Sequence, residues 1–290
     1  MRIVGSRHLA GIVPVSREPL DFKFEWHDCL MPIAPKYHAI ERAVYECAMV
    51  GCHTIWIVAS DDTTPLVRHK MGDFVMDPAS LKKKKVEWPM EHRKPVPIFY
   101  VPIPMQEYVK RMCYPWSILQ GALTVDEISV NISKWLVPEL YYVASPYAVY
   151  EVKELRKHRV DIMRQESTIL TYQGSSVCSG AHLGFTFNRD ARDKAIKIFR
   201  DFEAEHVWWS SPKEEEKHFL DNFRLEKVFG DVILEERKEI ELNWFYPIDE
   251  WDKYCEYLAS DERRDIKHPG RLVLSYKEWN PIGIDDGEKN

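Results

Sequence analysis

The feature that most constrains this chain is a pair of short apolar runs, LAGIVPVS at 9–16 and TIWIVA at 54–59. Both are rich in β-branched residues and neither alternates apolar with polar, so each reads as a strand buried on both faces. Between them, YHAIERAVYECAMVG (37–51) puts Ile40, Val44, Cys47 and Ala48 on one helical face. Glu41, Arg42 and Glu46 fall elsewhere, and Gly51 supplies the C-terminal stop. Strand, helix and strand in that order predict a crossover between parallel strands, and open sheets of this kind bind ligands beyond the carboxyl ends of their strands. The connection from Arg17 to about Lys36 leaves such an end. It is far longer than the few residues that usually join strand to helix, which points to a functional loop. The alternative is an insertion that only covers the core.

Further along, PVPIFYVPI (95–103) predicts a third strand and ELYYVAS (139–145) a fourth. Residues 114–136 predict a long helix with Ile118, Ala122, Val125, Ile128 and Ile132 on one side. Residues 168–187 read as two strands around a Gly/Ser-rich turn, an antiparallel hairpin added to the parallel sheet. A helix is expected from Ala191 to about His206, and a solvated, structural one after Ser211 and Pro212. EIELNWFYPIDEWDKYCEYLAS (239–260) pairs a strand with a helix starting near Asp249 as N-cap. The expected fold is α/β: a Rossmann-like, mixed, mostly parallel sheet with helices on both faces plus an antiparallel hairpin. One domain is expected over 1–260, with 261–290 an extension or tail ending in the loose IGIDDGEKN (282–290).

A formal charge of −6, from 46 acidic and 40 basic residues, gives no global pull toward nucleic acid or a membrane surface. The run Lys82 to Lys85 reads as an exposed loop rather than a phosphate site. No apolar run approaches the roughly 18 residues of a membrane span, and the N-terminus has too short an apolar stretch for a secretory signal. The six cysteines are scattered without a C-x-x-C pair, and several sit in apolar segments as small hydrophobes. A reducing, cytoplasmic setting is expected.

Three stretches concentrate chemistry. Trp26, His27 and Asp28 offer a general base or metal ligand beside a ring that can stack on a base or sugar, or else a packed loop with Asp28 capping a turn. Asp61 and Asp62, just past the second strand, can accept hydrogen bonds from a base or ribose, or serve as ordinary turn chemistry. Lys110 and Arg111 precede a helix start that already favours an anion, with Tyr114, Trp116 and Ser117 at its mouth; the alternative is a core Trp116 and solvated cations.

Three segments also carry a family resemblance. CLMPIAPKYHAIERAVYECAMVGCHTIWIV (29–58) is similar to the P-K-x-L-L-P-V run and I-E-R helix of sugar-1-phosphate nucleotidyltransferases. GAHLGFTF (180–187) is similar to their N-x-G-I-Y-x-F strand, and WFYPIDEWDKYCEYL (244–258) to their closing W-x-D-I-G-T-P-E-D-Y segment. The chain thus resembles the nucleotide-diphospho-sugar transferase superfamily, of glycosyltransferase-A type fold, over about its first 260 residues. WHDCL (26–30) is also similar to tailed-phage proteins, which implies a lineage and no activity.

With the residues above, the candidate nucleotide site is Gly11, Val15, Ser16, Asp61, Asp62, Arg111 and Ser117, the candidate catalytic positions are Arg17, His27 and Asp28, and the candidate sugar side is Trp26, Ser145, Tyr147 and His182. The departures are chemical. The family's Gly-rich phosphate loop stands here as AGIVPVSREP, with one Gly and two prolines that donate no N–H. Asp28 replaces a phosphate-binding Lys, Pro146 and Tyr147 stand at the metal-binding Asp, and Pro247 at the Asp of the closing segment. Mg or Mn is implied by the family, yet its carboxylate positions are not matched. Without the ion, Arg17, Lys23 or Arg111 would balance diphosphate charge. The expectation is a divergent nucleotidyltransferase or glycosyltransferase on a nucleotide sugar or sugar phosphate. Two alternatives stand: a non-catalytic binding or structural member of the fold in a phage-like complex, and glycosyl transfer to modified DNA, which the acidic total disfavours.

Overall fold

The computed structural model describes residues 7–15, 27–78, 95–103, 113–132, 137–205, 224–233 and 237–270. Ser16, Arg17, Lys23, Trp26, the run Lys82 to Lys85, Lys110, Arg111, the stretch 211–223 and the tail 282–290 lie outside them, while the end of the helix expected after Ser211 is described at 225–229 and buries Leu225, Val228 and Phe229.

In chain order the strands and helices begin with β1 (Leu9–Val15), a short hairpin of β2 (Pro32–Ala34) and β3 (Tyr37–His38), and α1 (Ala39–Val50). Then come β4 (Thr54–Ser60), α2 (Thr64–Met71), β5 (Phe74–Met76), β6 (Pro95–Ile103) and α3 (Tyr114–Ile132). These are followed by β7 (Leu140–Val143), β8 (Ala148–Val149), α4 (Arg159–Arg164), β9 (Ser167–Thr171) and β10 (Phe185–Phe187). The series closes with α5 (Arg189–Glu205), α6 (Leu225–Phe229), β11 (Arg237–Glu241), β12 (Tyr246–Pro247) and α7 (Trp251–Ala259).

Eight strands form one sheet in the order β11-β9-β10-β7-β1-β4-β6-β5. β1 runs parallel to both neighbours, with Val13 opposite Ile57 of β4 and Ile12 opposite Val143 of β7. β6 continues the parallel set beyond β4, and β10 turns back antiparallel between β7 and β9. Every residue of β1 is buried, as expected of a strand covered on both faces. Leu9, Val13, Val15, Ile55 and Ile57 face α1 on one side; Ala10, Ile12, Trp56 and Val58 face α3 and α6 on the other. Gly11 lies mid-strand, where a Cβ would come within 2.8 Å of the Cys47 Sγ and 3.1 Å of the Cys52 Sγ, so its bareness lets the end of α1 settle on β1. Gly121 does the same for α3, whose backbone approaches Val58 and Ile12. Among the described residues no helix is long and apolar enough to cross a membrane.

Two expectations from periodicity need correction. The α3 stripe is buried only through Val125, while Ile128 and Ile132 are 36% and 63% exposed. Nineteen helical residues span about 28 Å and a seven-residue strand about 23 Å, so the helix outruns the strand beneath it. In α1 the polar face is not solvated: Glu41, Arg42 and Glu46 are all buried. The tyrosine-bearing segment after β7 and the residues following α7 lie over that face. There Tyr150 reaches Glu46, Ile266 is buried, and His268 lies edge-on to Tyr37 at 5.4 Å.

Candidate functional site

The carboxyl ends of β1, β4, β6 and β7 point the same way, but not to the same height. Val15 pairs with Ala59, and Ser60 with Ile103, whereas β7 leaves its ladder at Val143 opposite Ile12, three residues below the end of β1. The step falls between β1 and β7. On one side of β1 the chain crosses over to β4, and on the other lies the much later β7, which makes this the switch point where α/β sheets open a crevice.

The floor of the step is the turn Ala144–Tyr147. Ala144 N–H donates to Ile12 C=O at 3.0 Å, Tyr147 N–H to Ser145 Oγ at 3.2 Å, and Ile248 N–H to Tyr147 C=O at 2.9 Å. Ser145 and Tyr147 are themselves buried, at 2% and 0% exposure. Two rings gather over Tyr147. His182, in the segment leading into β10, meets Tyr114 edge-on at 4.9 Å and Tyr147 at 5.8 Å, and the two tyrosines are 5.9 Å apart. Asp249 completes the group, its Oδ2 3.8 Å from His182 Nδ1 and its Oδ1 accepting from Lys253 Nζ at 3.3 Å. The helix N-cap is Glu250 rather than the expected Asp249, whose carboxylate faces the histidine instead.

Beneath this turn lies a buried charge network. Arg42 donates to the Ser145 carbonyl and, at 2.8 Å, to Glu46 Oε2; Tyr142 and Tyr150 hydroxyls donate to Glu46 Oε1 at 2.5 Å each. Burial works against the charge on Arg42, but the Glu46 carboxylate and the Tyr150 ring beside it hold its pKa above the usual value. Burial, then the Glu46 charge, push both tyrosines well up, which keeps them as donors. Gly184 leaves the space: a Cβ there would lie 2.4 Å from the Tyr142 hydroxyl. The network ties α1 to the floor of the crevice.

Two strands away, roughly 10 Å across the sheet, β4 ends in a self-bonded turn. Ser60 Oγ bonds Asp62 Oδ1 and Thr63 Oγ1, and Thr64 Oγ1 donates to Ser60 C=O at 2.8 Å. The Ser60 hydroxyl is the main reason Asp62 is held below the usual carboxylate range. Asp62 is therefore used by the turn, and Asp61 is exposed at the rim. Ser117 is buried in the first turn of α3, facing the Cys113 carbonyl at 3.5 Å. His27 caps the 3-10 turn Asp28–Leu30, its Nδ1 accepting from Cys29 N–H at 3.2 Å, which assigns the ring proton to Nε2. Asp28 stands in that turn, packed toward α1 through Cys29. Tyr254 and Tyr257 of α7 hold the adjoining β2 by donating to the Pro32 and Ile33 carbonyls at 2.7 Å each.

Of the residues expected from sequence, the structure brings Ser145, Tyr147 and His182 together and sets Asp61 and Asp62 on the other side of β1. Val15 ends β1 between them, and Gly11 sits four residues down the strand. Asp249, Arg42 and Glu46 were not among the expected site residues. The signals for them were the i, i+4 spacing of Arg42 and Glu46, and the place of Asp249 two residues past Pro247. The described residues here do not fit a divalent cation: Asp249 is already shared with Lys253, and Glu46, beneath the turn, is fully buried and paired with Arg42. Among the described residues no three His, Cys, Asp or Glu side chains converge as metal donors.

The mixed, mostly parallel sheet is similar in fold to two solved structures. A structure assigned as a glucose-1-phosphate thymidylyltransferase from Bacillus anthracis in complex with sucrose matches 91% of this chain and 98% of its own, with TM-score 0.55 and 9% identity. A UDP-glucose pyrophosphorylase complexed with UDP-glucose matches 86% of this chain and 97% of its own, with TM-score 0.52 and 10% identity. No protein-family model matches the chain, and no curated protein sequence does. At such identities the likeness establishes the fold alone.

Proposed function

We propose that this chain binds a nucleotide sugar or sugar phosphate across the carboxyl ends of β4, β1 and β7 and acts on it as a transferase. Asp61 at the rim serves the nucleotide, and the cluster of Tyr114, Tyr147, His182 and Asp249 serves the sugar end. Arg17, Lys23, Trp26 and Arg111, on the connections that follow β1 and β6, supply further contacts and the positive charge that a diphosphate needs. The observation that carries the reading is the step between β1 and β7, with aromatic edges and a His–Asp pair gathered at its low side. Rings of this kind suit a sugar face, and a switch point suits a nucleotide. The two solved neighbours, one complexed with UDP-glucose and one with sucrose, support it.

The test is scanning fluorimetry of the full chain with nucleoside triphosphates, nucleoside diphosphates and a panel of nucleotide sugars, with and without Mg or Mn. Binding to the native state raises stability by about 2.7 kcal/mol at a hundred times Kd, so at least one of them shifts the melting temperature by several degrees. A flat response to all of them would overturn the reading. It would favour a non-catalytic member of the fold, a role that the burial of Ser145 and Tyr147 also suits.

A further inference from the structure

We propose that residues 261–270 form a pH-sensitive strap, docked on the polar face of α1 while the His268 ring is neutral and released when that ring takes up a proton. The strap does not depend on the transferase reading above.

One buried carboxylate holds the strap, the α1 corner and α2 together. Glu41 Oε2 accepts from the His38 backbone N–H at 2.8 Å and meets His38 Nδ1 at 2.7 Å. Its Oε1 faces Lys70 Nζ of α2 at 3.2 Å and His268 Nε2 of the strap at 3.8 Å. The His268 ring also lies edge-on to Tyr37 at 5.4 Å. Tyr37, His38 and Glu41 from the β3–α1 corner and Lys70 from α2 are thus the titratable groups that face it. Two positions earlier in the strap, Ile266 is buried in the same apolar cluster as α1. It lines, with Tyr37, Arg42 and Tyr150, a recess at the edge of the Arg42 network, so what the strap covers is the side of that network. At the strap's start, Glu262 Oε2 accepts from the Tyr246 hydroxyl at 3.2 Å.

The docked geometry requires a neutral ring. His268 Nδ1 accepts from Gly270 N–H at 3.0 Å, which assigns the ring proton to Nε2, the nitrogen that faces Glu41. A second proton, on Nδ1, sets donor against donor and breaks that turn. It also adds a cation beside Lys70 around a carboxylate that Lys70 and His38 already share. Burial, with the charges of Lys70 and His38, outweighs the attraction of Glu41 and holds His268 below the usual histidine value. A released ring has the ordinary value of about 6.5, so the strap binds a proton more readily free than docked. Docking is therefore favoured in full above about pH 6.5 and weakens as pH falls from there through the lower docked value, by up to about tenfold per pH unit.

Hydrogen exchange of the full-length protein, read by mass spectrometry from about pH 7.5 to about pH 5.5 and corrected for the chemical rate, tests this. Peptides spanning 261–270, where the Arg264 and Asp265 amides are hydrogen-bonded, are followed beside peptides from β1 and β4. Protection over 261–270 falls by about threefold or more across that range while β1 and β4 hold theirs. In proton–carbon NMR the His268 ring titrates below about 6.5. His268→Phe keeps a ring edge on Tyr37 and abolishes the pH dependence of strap protection. Lys70→Met removes the competing cation, so the His268 ring titrates higher and the strap stays docked to lower pH; this arm stands on its own should His268→Phe fail to fold. Protection over 261–270 that is flat with pH, that falls equally in His268→Phe, or that falls only together with β1 and β4 would overturn the proposal. So would a His268 ring that titrates at or above about 6.5 in the wild-type protein.

Discussion

Replacing Arg42 with Met isolates the buried network under the crevice. The substitution keeps volume and apolar packing but strips Glu46, 0% exposed, of its only cationic partner among the described residues. It also leaves the Ser145 carbonyl without its donor. Breaking a buried pair from one side costs about 3–5 kcal/mol, because the remaining charge is stranded in a low dielectric. The two tyrosine hydroxyls at 2.5 Å remain on Glu46 Oε1 and soften the loss without replacing a charge. At about 2–4 °C per kcal/mol, the melting temperature falls by about 6–20 °C. Equilibrium urea denaturation of wild type and variant gives the free energy directly. The fourfold variant Arg42→Met, Glu46→Leu, Tyr142→Phe, Tyr150→Phe removes every polar member at once, so it recovers to within about 2 kcal/mol of wild type despite three more changes. A single-variant loss under about 1 kcal/mol, or a fourfold variant no better than the single one, would refute the reasoning. Because Arg42 holds the floor of the step through Ser145, Arg42→Met also weakens nucleotide-sugar binding, and the fourfold variant does not restore it.

Gly184→Ala pushes a methyl to within 2.4 Å of the Tyr142 hydroxyl and 2.7 Å of Glu46 Oε1, so it destabilises by about 1–3 kcal/mol in the same urea assay. Asp61 and Asp62 separate by assay: Asp62→Ala loses the Ser60-bonded turn and about 0.5–2 kcal/mol of stability, while Asp61→Ala leaves stability unchanged and weakens nucleotide binding in calorimetry. At Glu41, burial alone would raise the carboxyl, but hydrogen bonds from the His38 ring and backbone and the charge of Lys70 hold it below the usual carboxylate range. Its folded pKa is therefore depressed, and its contribution is present above that range and lost as pH falls through the lower folded value. The stability gap between wild type and Glu41→Gln, from urea curves, is accordingly larger at about pH 5.5 than at about pH 3.

The β1–α1–β4 crossover was legible in the sequence because a strand buried on both faces must be continuously apolar, and 9–15 and 54–59 are. The Gly51 stop, the hairpin of β9 and β10, and the order of strands and helices followed from equally local chemistry. What lies over each helix did not. The 3.6-residue period assigns Glu41, Arg42 and Glu46 to a polar face whether water or Tyr150 covers it, and Ile128 and Ile132 to an apolar face whether or not a strand extends that far. The expected Asp249 N-cap shows the same division: residue type and spacing marked the start of α7, but only the approach of His182, 67 positions earlier in the chain, turned that carboxylate toward the crevice. Period and turn chemistry are properties of neighbours along the chain, so the sequence by itself determined the elements and their order. Burial of charge and convergence of side chains are properties of neighbours in space, and these the tertiary structure alone decided.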